Sequence, residues 1–185
     1  MSAINLNSNN SVLLLIDLQP SFMKIIHESE RVLQRSLFLA QVAHLMEIPI
    51  LTSEQYPSRM GGTDERLLPY ATQVYSKMEF SAMANDAFSS ALKAFNRSQV
   101  IVVGVETHIC ISQTCHGLQA QGYESVVCPD AVSASTQDRH KLGMERLRDA
   151  GIIPAHTEAI AYEWMRTADD TRFKAMLKLV KESEF

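Results

Sequence analysis

A thiol at Cys110, a carboxylate at Asp17 and an amine at Lys77 are the groups in this sequence placed to do chemistry. Each follows an apolar or β-rich run: residues 99–105 before Cys110, 11–16 before Asp17 and 73–76 before Lys77. Strands buried in a parallel sheet read as unbroken β-branched runs, and ligands of such sheets bind beyond the strands' carboxyl ends. A thiol in the first turn of the following helix would gain from the helix dipole and from unpaired N–H groups, which lower its pKa toward the nucleophilic thiolate. Asp17 in the same crevice could serve as acid or base. Bland readings stand beside these: free cysteines mostly pack, an aspartate ahead of Pro20 forms turns, and most lysines are solvated.

Periodicity indicates the elements that must hold these groups. Residues 11–17, 49–53, 73–76, 99–105, 123–128 and 152–154 predict six strands. Between them, 30–46 carries Leu33, Leu37, Ala40 and Leu45 near helical spacing, and 84–95 carries Phe88, Ala91, Leu92 and Phe95 on one helical face. Ile111, Cys115 and Leu118 extend the cysteine segment as a helix that Thr107 can cap. Pro129-Asp130 is expected to close the fifth strand, residues 133–136 to cap a helix, and Gly151 to end it. Residues 54–62 predict a loop over the Asp17 edge. Near the C terminus Phe173, Leu177 and Val180 form a stripe, read as packing on the core or on a second subunit rather than on a membrane. The strand-helix alternation predicts an α/β fold: a three-layer sandwich with a mostly parallel six-stranded sheet, Rossmann-like topology and helices on both faces. Residues 1–185 are expected to form one domain, with 1–10 a polar N-terminal arm and 156–185 a C-terminal helical segment.

Composition narrows the function classes. The 185 residues are 46% hydrophobic and 21% charged, with a formal net charge of -4 and no basic run, so no nucleic-acid partner is expected. The start of the chain lacks the pattern of a signal peptide, and no apolar stretch is long enough to span a bilayer. Cys110, Cys115 and Cys128 are too few and too irregularly spaced for a disulfide framework. A reducing, cytoplasmic setting is the expectation, and an organellar one is also compatible.

Taken together in their order and spacing, several segments resemble the isochorismatase-like cysteine hydrolases, a family that includes nicotinamidases. They are Asp17-Leu18-Gln19, Lys77 with Phe80, Gly104-Val105-Glu106-Thr107-His108-Ile109-Cys110, and Pro129-Asp130-Ala131-Val132-Ser133-Ala134-Ser135. The resemblance runs from Val12 to about Ala155. It implies that Asp17, Lys77 and Cys110 form a catalytic triad, with a cis peptide between Val105 and Glu106. It also implies an oxyanion hole from the backbone N–H groups of Glu106 and Cys110, and a homo-oligomer. The reaction expected is hydrolysis of a small amide or related carbonyl compound through a cysteine thioester, C–N cleavage suiting a thiol nucleophile better than vinyl-ether cleavage.

Nicotinamidases of this family place an aspartate and histidines after the second strand to bind a metal. Here that region reads Thr52-Ser53-Glu54-Gln55-Tyr56-Pro57, without histidine, so no metal and no other cofactor are expected, and nicotinamide is a doubtful substrate. Gln19, Phe22, Tyr56 and Phe80 are candidate pocket walls. Asp17-Leu18-Gln19 lacks the second acidic residue of a magnesium phosphotransfer site, and no glycine-rich phosphate loop or Gly-x-Ser-x-Gly elbow occurs. The rival from another class is a catalytically weak member of the fold serving as an oligomeric interaction scaffold.

Overall fold

In the computed structural model, which describes residues 5–183, fourteen elements of strand and α-helix alternate along the chain. They are β1 (Ser11–Ile16), α1 (Pro20–Met23), α2 (Ser29–Leu45), β2 (Ile50–Gln55), α3 (Pro57–Met60), β3 (Gln73–Lys77) and α4 (Asp86–Ala94). The second half comprises β4 (Gln99–Val105), α5 (Ser112–Ala120), β5 (Glu124–Ser133), α6 (Gln137–Asp149), β6 (Ile153–Pro154), α7 (Thr157–Met165) and α8 (Phe173–Glu182).

The strands form one sheet in the order β3-β2-β1-β4-β5-β6, and every pair is parallel. The expected sandwich is therefore present, with an all-parallel sheet. Alternation along β1 assigns its side chains to opposite layers. Leu13 and Leu15 join α2, α7 and α8 in one core, whereas Val12, Leu14 and Ile16 join α4, α5 and α6 in the other. This doubly wound arrangement puts β1 beside β4, where the direction of strand order reverses and a crevice opens at the carboxyl ends.

The crevice depends on a close backbone approach. Gly104 lies opposite Ile16, at φ +122°, and a Cβ built on it would stand 2.0 Å from the Ile16 carbonyl oxygen. Only glycine lets β1 and β4 come together there.

Three expectations are corrected. Strand β5 continues through Pro129 and Asp130 to Ser133, its pairing with β4 shifting between Val102 and Gly104. The irregular carbonyls of Pro129 and Asp130 are taken up by the Arg31 guanidinium, so the proline bends the strand without ending it. Strand β2 runs to Gln55, into the stretch expected to be loop, because it keeps pairing with β3 as far as Lys77. On α8 the face turned to the core is Phe173, Met176, Leu179 and Val180; Leu177, half-buried, stands beside that face and is not part of the core cluster. At the other end Leu6 is buried and its N–H donates to Glu163, so the described part of the expected polar arm packs on α7. Residues 1–4 of that arm lie outside the described residues. No helix among the described residues is long and apolar enough to cross a membrane.

Candidate active site

Asp17 is the first residue past β1, and its backbone turns sharply there, with φ +55°. Aspartate tolerates this left-handed conformation better than most residues. The turn sends its carboxylate under the sheet edge, where only 2% of the residue is exposed. One oxygen accepts from the Ser53 hydroxyl at 2.7 Å and the other from Lys77 Nζ at 2.7 Å. Burial raises the Asp17 pKa above its ordinary value, outweighing the opposing pull of Lys77.

Lys77 ends β3, two strands away, and reaches Asp17 across the end of β2. It is also 2% exposed, so its ammonium must be satisfied from within the protein. Besides Asp17 it donates to Gln55 Oε1 at 2.6 Å and, at longer range, to the carbonyls of Glu79 and Phe80 at 3.3 and 3.4 Å. Gln55 Nε2 in turn donates to the Met78 carbonyl at 3.0 Å, which fixes the orientation of the amide.

Cys110 sits on a wide helical turn, Thr107–Ile111, that leads from β4 into α5. The Glu106 carbonyl accepts from the N–H groups of Ile109 (3.0 Å) and Ile111 (3.2 Å), on either side of Cys110. The turn is fastened by the Ser112 hydroxyl, which donates to the Thr107 carbonyl, and by a 2.9 Å contact between Thr107 Oγ1 and His140 Nδ1. The peptide bond from Val105 to Glu106 is cis. Cys110 borders the same cavity as Asp17, and the charges of Asp17 and Lys77 both act on its thiol. Burial, with the Asp17 charge adding to it, pushes the Cys110 thiol up to about 12. The helix start visible in the sequence is therefore set against burial and a neighbouring acidic group, both of which disfavour the thiolate.

Asp17 and Cys110 border a cavity of about 80 Å³, with Lys77 behind Asp17 and outside the lining. Phe22, Phe80, Val105 and Ile109 supply its apolar wall, and Gln55 and Glu106 its polar positions. Of the four wall candidates, Phe22 and Phe80 line the cavity, while Gln19 and Tyr56 are absent from its lining. Gln19 is fully buried behind it; its amide accepts from Gln55 N–H at 2.7 Å and donates to the Gln55 and Gly61 carbonyls. Tyr56 is 40% exposed, turned outward by its own left-handed backbone ahead of Pro57.

Ser53 and Gln55 were missed because their stretch reads as the end of an apolar strand and the start of a loop. Once β2 is extended to Gln55, the period of two puts both on the same face as each other, and the signal is plain. Glu54, between them, faces the other way, its Oε1 accepting from Thr63 N–H and hydroxyl at 2.8 and 2.9 Å. No cluster of three or more histidine, cysteine, aspartate or glutamate side chains fit to hold a metal occurs among the described residues.

The sequence model of the isochorismatase domain matches residues 11–159, a span that contains every residue of this cavity. The chain belongs to the isochorismatase family. Isochorismatase domain-containing protein 2 of Danio rerio is 31% identical over 175 residues, covering 95% of this chain and 89% of that protein. The structure of MAR1 ribonuclease from Caenorhabditis elegans superposes with a TM-score of 0.90 at 29% identity, covering 96% of this chain and 93% of that one. The YcaC gene product of Escherichia coli, described as an octameric hydrolase of unknown specificity, shares the fold at a TM-score of 0.90 and 20% identity, with 99% and 92% of the two chains covered. The sheet order and site crevice described above are therefore those of an isochorismatase-family fold.

Proposed function

We propose that this isochorismatase-family chain hydrolyses a small amide or related carbonyl compound, with Cys110 as nucleophile, Asp17 as acid and base, and Lys77 as the cation that holds both. The observation that supports this reading above others is the meeting of a sulfur and a carboxylate, from two separate strand ends, on one cavity, with the ammonium of a third strand end bonded to that carboxylate from behind. A raised thiol needs a base at the moment of attack, and the carboxylate within reach is Asp17.

In the proposed sequence Cys110 Sγ bonds to the carbonyl carbon as its proton passes to Asp17. The backbone N–H groups of Glu106 and Cys110 stabilise the oxyanion. Collapse breaks the C–N bond, and Asp17 returns the proton to the departing amine. Water then attacks the thioester, giving a proton to Asp17 and releasing the acid, and the thiol is restored. Lys77, held by Gln55 Oε1 and the carbonyls of Glu79 and Phe80, stabilises Asp17 electrostatically.

A panel of small amides assayed for amine release tests this, with acyl adducts on Cys110 followed by mass spectrometry. Turnover abolished in Cys110→Ala and in Asp17→Asn is expected. Turnover that survives Cys110→Ala would refute the mechanism, and no turnover of any amide by the wild-type chain would leave the scaffold reading.

The proposal extends to setting and assembly. Residues 1–185 are taken as one domain in a homo-oligomer, as the octameric description of the E. coli relative and the exposed apolar residues Ile25, Met78 and Leu142 favour. Three unpaired cysteines favour a reducing, cytoplasmic compartment.

A further inference from the structure

Two acidic residues, Asp17 and Glu106, line the cavity, and no cationic residue does. Their surroundings differ. Asp17 is offset from behind by Lys77 at 2.7 Å, so that pair brings little net charge to the cavity. Glu106 is met by a neutral donor: its Oε2 accepts from the Ser135 N–H at 2.7 Å. Arg139, one link further out, gives its guanidinium to the Ser135 hydroxyl at 2.6 Å. The apolar wall of Phe22, Phe80, Val105 and Ile109 offers an incoming anion no side-chain donor and lowers the local dielectric, and the amide N–H of Gln55, the neutral polar residue of the lining, is engaged with the Met78 carbonyl at 3.0 Å.

We infer that this site selects by charge, admitting neutral and cationic amides and rejecting carboxylated or phosphorylated ones, with Glu106 as the selecting residue. The inference rests on the hydrolase reading for the word amide, and on the cavity alone for the charge. A phosphodiester, the kind of substrate a ribonuclease takes, would bring its negative oxygens against Glu106, as would any small carboxylate. Lys77 cannot swing out to meet them, being buried and bonded to Asp17 and Gln55.

Alkylation of Cys110 tests this without any substrate. Iodoacetamide and iodoacetate have nearly the same shape, and with either one Sγ displaces iodide to form the same kind of C–S bond while the thiol proton is released. The rate ratio at Cys110, read by peptide mapping, is divided by the ratio for the same cysteine in the urea-unfolded chain. That quotient should favour the neutral reagent by at least about tenfold. In Glu106→Gln, which keeps an oxygen for the Ser135 N–H, it should fall several-fold toward unity. Phe80→Lys, a change on the exposed rim, should also lower it, and serves if Glu106→Gln does not fold. A quotient near one in the wild-type protein, or one that neither substitution moves, would overturn the inference. The hydrolase reading fails separately: a large quotient with no amide turned over sinks only that reading, whereas equal turnover of neutral and carboxylated amides sinks only this one.

Discussion

Replacing Gly104 by alanine puts one methyl group against a backbone carbonyl, which no rotamer change can move aside. The new Cβ would lie 2.0 Å from the Ile16 oxygen, 2.8 Å from its carbon and 2.9 Å from its nitrogen. The strands must separate locally, and Ile16 is the residue before Asp17. Holding alanine at φ +122° costs about 1–3 kcal/mol. Overpacking a tight contact adds about 1–3 kcal/mol. The sum, about 2–6 kcal/mol, is a large part of the 5–15 kcal/mol that is roughly the whole stability of a domain. It corresponds to a fall in Tm of roughly 5–20 °C for a chain of this size. Gly122→Ala supplies the control, since Gly122 has φ +84° but nothing within 4 Å of its Cβ, so it should lose only about 1–2 kcal/mol. Urea unfolding of both variants measures the difference, and iodoacetamide labelling of Cys110 reports whether the site has opened. If the two alanines cost the same, or Gly104→Ala is as stable as wild type, the claim that this contact sets the β1–β4 spacing is wrong.

Three further outcomes are expected. Lys77→Met leaves the Asp17 carboxylate buried without its cation, so it should cost about 3–5 kcal/mol by urea unfolding. The Asp17→Asn, Lys77→Met double variant should cost less than the two single losses added, and strict additivity would deny the pairing. Cys115, fully buried, has its thiol pushed from 9.0 to about 12 by burial. The native state therefore holds a proton that the unfolded chain releases above pH 9, and that contribution to stability falls by roughly 1 kcal/mol per pH unit between 9 and 12. Cys115→Ala should thus be less stable than wild type near pH 7 and close the gap as pH rises past 9; a gap independent of pH would contradict the shift. Finally, Cys110 should be alkylated in the native protein well before Cys115 and Cys128, which should react only on unfolding, and peptide mapping during a time course decides it.

Much of the architecture was legible because parallel strands buried on both faces leave unbroken runs such as Val12 to Ile16 and Val100 to Val103. Asp17, Lys77 and Cys110 stand out as the groups that follow such runs, and the topology then gathers them. What periodicity could not show was set by partners far away in sequence. Gln55 is in a strand because Lys77 pairs beside it, and Pro129 is tolerated because Arg31 serves the carbonyls at the bend. Gln19 and Tyr56 sit among plausible wall residues in sequence, yet one is consumed by tying Gln55 to Gly61 and the other points outward. The surroundings of the Cys110 thiol were legible only in part for a related reason. A helix start is visible in sequence, whereas the depth of burial and the neighbouring acidic group that raise the thiol are tertiary.

Phe80 lies on the connection after β3 and is 54% exposed, and Phe22 lies on a one-turn helix, partly buried against the edge of one core. The shape of the opening is therefore written in residues whose exchange leaves the sheet, its register and the Asp17–Lys77 pair untouched. Mutational drift at the exposed position 80 carries little folding cost, and at position 22 only that of a partly buried ring, so a lineage can exchange one small molecule for another while the reacting groups stay where they are. A directed-evolution library centred on position 80, with apolar exchanges at position 22, would explore that freedom with few misfolded members.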